Sequence, residues 1–498
     1  MTRDSFIWTR RSVLAGLGAG AAGSAFAAAP EVSVRPTARP AGLVRRQAPG
    51  AESLIAKAKL GGEVAYVVAD ARSGTILEAR NGDMALPPAS VTKAITALYA
   101  LDRMGMGYRF RTRLLATGPI AGGKLEGDLI LAGGGDPTLD TDHLMGLAAQ
   151  LKAAGVHEVT GKLRVYDGAL PTLEAIEPDQ PEHVGYNPAV SGLNLNFNRV
   201  HFEWKRAAQG YAITMQARAL KHRPDVNLTR MRIADRGAPV YTYDRNGKTE
   251  DWSVARGALG KEGGRWLPVR QPGLYAAEVF ETLARSHGIV LRRGPKATHV
   301  HGQVIAEHLS PPMPEMLRAM LKYSTNLTAE VMGLMATRQA GSNPGSLEAS
   351  ARTMNSWLHR FCGAETSKFV DHSGLGSGAK VAPTELVKAL VRAGPDGQLR
   401  GLMKPAYLQN ERGAPIKDGP VDIRAKTGTL NFVSALSGYL RNGQGRHMAF
   451  AILTADEPRR AALSVEERER PSGGKSWSKR SRRLQAQLLD RWSTLYGA

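Results

Sequence analysis

Ser90-Val91-Thr92-Lys93-Ala94-Ile95-Thr96-Ala97-Leu98 carries a hydroxyl and an amine three residues apart. They stand at the head of a segment whose apolar residues Val91, Ile95 and Leu98 recur at helical spacing. On a helix that spacing turns both side chains to one face. A serine at the amino-terminal end sits where orphan N–H groups and the macrodipole favour developing negative charge. Its hydroxyl needs a base, and a lysine serves only when burial or a neighbouring cation lowers its pKa. Ser-x-x-Lys also starts at Ser377, Ser472 and Ser476, so the motif is weak by itself. Ser377 falls in a Gly-rich turn, and the other two fall in a charged loop expected over 456–480. Only Ser90 opens an apolar-patterned helix.

Two further motifs follow in order. Ser324-Thr325-Asn326 places a hydroxyl and an amide two apart, which no helical face can share, so they must come from a turn or a helix junction. Read alone, this is a cap or a turn. Lys426-Thr427-Gly428-Thr429 lies on an expected strand. There Gly428 would let a substrate chain approach the backbone, and Lys426, Thr427 and Thr429 could bind a carboxylate. Read alone, this is an edge strand guarded by a lysine. Lys426 is also the candidate for the cation that lowers the pKa of Lys93. Together the three motifs equip a protein to acylate a serine with an amide whose neighbouring group is an anion. Ser324 lies 234 residues after Ser90, and Lys426 lies 100 residues after Asn326. A compact β-lactamase has no room for the first gap, which points to a domain-sized insert.

Around these motifs the chain changes texture. Short strands are expected at 63–70, 423–428, 432–440 and 447–455. A last helix carries Leu484, Leu488, Trp492 and Leu495 in one stripe. Residues 109–272 read as many short strands, and helices return from 273. The expected fold is α/β (α+β): an antiparallel sheet built from both chain ends and flanked by helices. It comprises 51–108 and 273–498 and is interrupted by a β-rich insert at 109–272.

The first 29 residues read as an export leader. Thr9-Arg10-Arg11-Ser12-Val13-Leu14 has the twin-arginine form, a weakly apolar Gly/Ala run follows, and Ala25-Phe26-Ala27 offers a small-x-small cleavage site. An ordinary secretory leader is the other reading, and either route leads to the periplasm. Residues 30–50 read as a flexible lead-in. With Cys362 as the only cysteine, no intrachain disulfide can form and the fold must rely on its cores. The net charge of +21 suits anionic wall polymer or anionic lipid. No nucleic-acid motif accompanies it. His299-x-His301 lacks a third metal ligand, and no His-Glu-x-x-His or Gly-x-Ser-x-Gly motif occurs.

From residue 50 to 495 the chain resembles the D-alanyl-D-alanine carboxypeptidase/endopeptidase family, the class C low-molecular-mass penicillin-binding proteins, and the three motifs are of the penicillin-recognising kind. Gly127-Asp128-Leu129 leading to Gly133-Gly134-Gly135-Asp136-Pro137-Thr138-Leu139, Ser191-Gly192-Leu193-Asn194-Leu195-Asn196-Phe197-Asn198 and Asp371-His372-Ser373-Gly374-Leu375 carry the likeness outside the motifs. The resemblance implies a penicillin-binding, β-lactamase-like domain. It implies that Ser90 is the nucleophile, Lys93 its base and Ser324 a proton relay with Lys426. Asn326 would orient the substrate, and the N–H groups of Ser90 and Thr429 would form the oxyanion hole. The implied partners are peptidoglycan stem peptides and, as covalent inhibitors, β-lactams, with no cofactor or metal. The alternatives are a weakly catalytic wall-binding scaffold of the same fold, or a β-lactamase or esterase.

Overall fold

The computed structural model describes residues 48–410 and 412–496. The expected leader and most of the lead-in lie outside the described residues. In the strand Glu63–Asp70, Val64, Tyr66 and Val68 point to one side of the sheet and Ala65, Val67 and Ala69 to the other, and both sets are buried. A strand covered on both faces is apolar nearly throughout. It pairs antiparallel with His447–Ala455, from Glu63 opposite Ala455 to Asp70 opposite Met448, so the two ends of the chain meet at the centre of one sheet. The order is Lys404–Ala406, Asp422–Leu430, Val433–Arg441, His447–Ala455, Glu63–Asp70, Ile76–Arg80, antiparallel throughout.

One face of this sheet is covered by the helices Ala51–Ala58 and Gly474–Leu495. The second of these starts earlier than the expected charged loop allows. Trp477 lies two turns before Leu484 and extends the apolar stripe; its ring is buried and its Nε1 donates to the Leu60 carbonyl at 2.8 Å. Burying an indole with its N–H satisfied outweighs the polar character of the neighbouring residues. On the other face lie the helices Thr92–Met104, Met313–Tyr323, Asn326–Gln339, Leu347–Cys362 and Pro383–Ala393.

The residues after 110 build a second core. Arg111–Ala116 pairs with Leu129–Gly133, which runs parallel to Leu163–Tyr166. Two three-stranded sheets follow, one centred on Arg199–Arg206 and one on Thr249–Ala255. This core takes in the helix Pro272–Ser286 through Tyr275, Val279, Phe280 and Leu283. It also takes in the strand Gln303–Leu309, which pairs with Arg111–Ala116. Leu170, Ile176 and Val190 of the insert pack into the first core, but the chain leaves the second core only near residue 310 rather than at 273, because the strand Gln303–Leu309 completes a sheet begun at 111. No helix among the described residues is long and apolar enough to cross a membrane.

Candidate active site

Ser90 sits in a single 3₁₀ turn, Ala89–Val91, that leads into the helix Thr92–Met104. Ala89 has φ +47°, an uncommon conformation for a residue with a Cβ. The turn is held by the Thr92 hydroxyl, which donates to the Ala89 carbonyl at 2.9 Å. Two glycines allow this turn to be packed from both sides. A Cβ on Gly428 would lie 2.8 Å from the Pro88 carbonyl oxygen and 3.0 Å from the Ser90 nitrogen, and one on Gly374 would lie 1.9 Å from the Ala89 carbonyl oxygen. The lysine-bearing strand Asp422–Leu430 therefore lies directly against the backbone of Ser90.

Lys93 is completely buried and spends all three of its donors. Its Nζ is 2.9 Å from Ser90 Oγ, 2.7 Å from Asn326 Oδ1 and 2.7 Å from the Ser373 carbonyl. Ser324 and Asn326 come from a helix junction, as their spacing requires. Ser324 has φ +59° and ends the helix Met313–Tyr323, Thr325 is extended, and Asn326 begins the next helix. Ser324 Oγ accepts from Lys426 Nζ at 2.9 Å, and Lys426 also donates to the Thr427 carbonyl at 2.7 Å. Asn326 Nδ2 donates to the Tyr186 carbonyl of the insert at 2.9 Å. Ser90, Ser324, Asn326 and Thr429 line one open cavity of about 1080 Å³. Lys93 and Lys426 lie buried behind it, and Gly428 touches the serine turn. Thr427 enters this network through its carbonyl.

Burial pushes the Lys93 amine down to about 8, against the opposing pull of Asp371 and Glu330. Burial is the main cause, and Lys426, the cation expected to lower it, acts alongside burial, since the two lysine charges disfavour one another. Lys426 is itself held well below the ordinary lysine range, first by burial and then by the charge of Lys93. The acids beside Lys93 went unassigned in the sequence. Glu330 Oε2 accepts from the His372 N–H and Oε1 from the Ser373 N–H, both at 2.9 Å. Asp371 accepts from the Gly374 and Gly376 N–H groups at 2.7 Å each. Burial raises the pKa of both acids. These contacts fix the Asp371–Gly376 turn and thereby the carbonyl that receives Lys93. Glu330 leaves a signal in the sequence: it is a lone acid four residues after Asn326, in a helix buried from Leu327 to Thr337.

Among the described residues, no group of His, Cys, Asp or Glu could hold a metal ion. The rings of His299 and His301 lie tilted against each other, with centroids 4.7 Å apart, in an exposed segment. Burial raises the Cys362 thiol to about 11, a poor setting for a nucleophile.

An antiparallel sheet flanked by helices, with a serine bonded to a buried lysine and facing a lysine-bearing strand, is the arrangement of the penicillin-binding fold. Residues 50–469 match the D-Ala-D-Ala carboxypeptidase 3 (S13) family, and the chain belongs to it. It is a serine peptidase family of hydrolases. The D-alanyl-D-alanine carboxypeptidase of Actinomadura sp. (strain R39) is 28% identical over 432 residues, covering 80% of this chain and 79% of that protein. The D-alanyl-D-alanine carboxypeptidase DacB of Haemophilus influenzae is 26% identical over 430 residues, covering 78% and 85%. The crystal structure of penicillin binding protein 4 (dacB) from Haemophilus influenzae superposes with a TM-score of 0.67 at 24% identity, covering 84% of this chain and 98% of that one. The last comparison establishes the shared fold.

Proposed function

We propose that this protein is a serine-type D-Ala-D-Ala carboxypeptidase and D,D-endopeptidase acting on peptidoglycan stem peptides, and that penicillins acylate it. One observation carries the reading: a buried lysine amine 2.9 Å from the hydroxyl of Ser90, in a cleft whose other wall holds a second buried lysine on a second serine. In the neutral amine, two N–H bonds go to the fixed acceptors Asn326 Oδ1 and Ser373 O. The lone pair is then left for the Ser90 proton. Ser90 Oγ forms a bond to the carbonyl carbon of the penultimate D-alanine, and its proton passes to Lys93. The oxyanion sits between the N–H groups of Ser90 and Thr429, a kind of donor typically worth about 3 kcal/mol. When the C–N bond breaks, Ser324, backed by Lys426, relays to the leaving amine the proton that Lys93 took from Ser90, which leaves Lys93 neutral once more. Water then hydrolyses the ester, using Lys93 again as base.

The Asp422–Leu430 strand supports this pose. Lys404–Ala406 pairs only as far as Ala425, so from Lys426 to Leu430 the edge has no partner strand among the described residues. A peptide can add there as a further strand, with its terminal carboxylate beside Lys426, Thr427 and Thr429. We place the activity in the periplasm and assign delivery to the twin-arginine leader.

The test is labelling of the mature protein with a fluorescent penicillin, followed by incubation with muropeptides ending in D-Ala-D-Ala. Stable labelling together with release of D-alanine or cleavage of cross-linked dimers is expected. A label retained in Ser90→Ala would reject the nucleophile. Labelling without any product would favour the scaffold reading, and rapid penicillin turnover would favour the lactamase.

A further inference from the structure

The cleft has an asymmetry that the chemistry above does not use. Arg460, Arg468, Arg470, Lys475, Lys479 and Arg482 line the same cavity as Ser90. Glu469 is the only acid among the lining residues, and it is already engaged by His183 at 2.8 Å and Arg265 at 3.0 Å, both from the insert. The Gln180 and Tyr186 that complete the lining are neutral and bond to each other at 3.1 Å. The cationic side is a built surface. Lys475, Lys479 and Arg482 are spaced by four and three on the helix Gly474–Leu495 and share one face. The segment before them is tied to the end of the catalytic strand. Asn431 Nδ2 donates to the Arg468 carbonyl at 2.6 Å, and Arg460 donates to the Asn431 carbonyl at 3.2 Å. The Arg459 guanidinium lies 4.2 Å above the Phe432 ring and donates to the Ser472 carbonyl. Arg470, Lys475, Lys479 and Arg482 are exposed and in no ion pair among the described residues.

Like charges held side by side repel one another, and a cleft walled by one sign of charge concentrates the opposite sign. We propose that this basic wall is a subsite for a carboxylate-bearing arm of the peptide substrate, so that the enzyme prefers acidic stem peptides to amidated ones. The proposal rests on the D,D-peptidase reading. It gives the Ser-x-x-Lys matches at Ser472 and Ser476 a role different from catalysis: their lysines, 475 and 479, are two of the wall's cations.

The experiment compares kcat/KM for D-alanine release from two N-acylated peptides ending in D-Ala-D-Ala. Both carry two glutamyl residues upstream, one peptide as free acids and the other as amides. The intact mature protein should favour the acid form by about tenfold or more, and added salt should erode the preference. In Lys475→Gln/Lys479→Gln/Arg482→Gln the ratio should fall towards one, mainly through KM. Neutralising three exposed insert lysines instead (Lys205→Gln/Lys221→Gln/Lys261→Gln) should leave the ratio in place. Equal turnover of the two peptides by the unaltered protein, or an equal drop in the ratio with the insert lysines, would overturn the proposal. If the unaltered protein neither releases D-alanine nor labels with penicillin, it is the peptidase reading that fails.

Discussion

Lys93 shows how burial selects chemistry at a single residue. A lysine on the surface would be an ammonium at neutral pH and could not accept a proton. Desolvation disfavours that charge, while Asp371 and Glu330 favour it, and desolvation wins. As the proposed base, Lys93 is competent only when unprotonated, so penicillin acylation should rise with pH through the lowered pKa near 8 and level off above it. Stopped-flow acylation rates between about pH 6 and 10 test this; a rate that is flat or falls across that span would remove Lys93 as the base. Gly428 is the second single-residue lever. In Gly428→Ala the added methyl would meet the Pro88 carbonyl at 2.8 Å, forcing strand and nucleophile turn apart. Acylation should fall by about tenfold or more, equivalent to about 1.4 kcal/mol in the barrier. Labelling at the unaltered rate would show that the contact does not matter.

At the scale of elements, the site is a junction of four segments: the serine turn, the Ser324–Asn326 break between two helices, the Asp371–Gly376 turn and the lysine strand. Glu330 joins two of them by accepting both the His372 and Ser373 N–H groups. In Glu330→Gln one of these donors would face an NH₂ group. Leaving a buried donor unpaired costs about 1–3 kcal/mol, which should appear as a lower unfolding midpoint. The acid also holds the pKa of Lys93 up, so its removal should move the acid limb of the acylation profile to lower pH. A limb that stays in place or moves upward would contradict the assigned coupling. Gly333 adds to the same junction, because a Cβ there would lie 2.0 Å from the His372 ring. The helix thus has to be bare where the turn crosses it.

At the scale of the whole molecule, the sheet that carries Lys426 depends on both ends of the chain. Trp492 is fully buried beneath it, 5.5 Å from the Tyr66 ring and 6.1 Å from that of Phe450. Trp492→Ala should cost about 3–5 kcal/mol of stability, read by denaturant unfolding. Penicillin reactivity should be lost along the same denaturant curve, because the terminal helix and the catalytic strand share one sheet. A stability change below about 1 kcal/mol would mean that the terminal helix is dispensable. The insert, from 111 to 309, contributes the Tyr186 carbonyl to Asn326 and holds Glu469 through His183 and Arg265. The insert therefore forms part of the cleft wall.

The sequence by itself pointed to serine acyl transfer and determined the outline of the fold. Ser90, Lys93, Ser324, Asn326 and Lys426, which the structure brings together at one cleft, could be proposed from sequence because the proposed chemistry needs fixed residue types, and because a three-residue helical spacing and a two-residue break restrict local geometry. The strands 63–70 and 447–455 were legible as strands, the first from its alternation, although the structure buries both faces of Glu63–Asp70. Only the tertiary structure decided what surrounds Lys93. Glu330, Asp371 and the Ser373 carbonyl converge on it from segments more than 200 residues away in sequence, and no local pattern encodes such a meeting. The start of the last helix and the late return from the insert escaped local reading for the same reason. Trp477 and the strand Gln303–Leu309 take their places from distant partners, Leu60 and Arg111–Ala116. Burial and long-range pairing are properties of the folded chain, and they set both the acidity of the base and the limits of the domains.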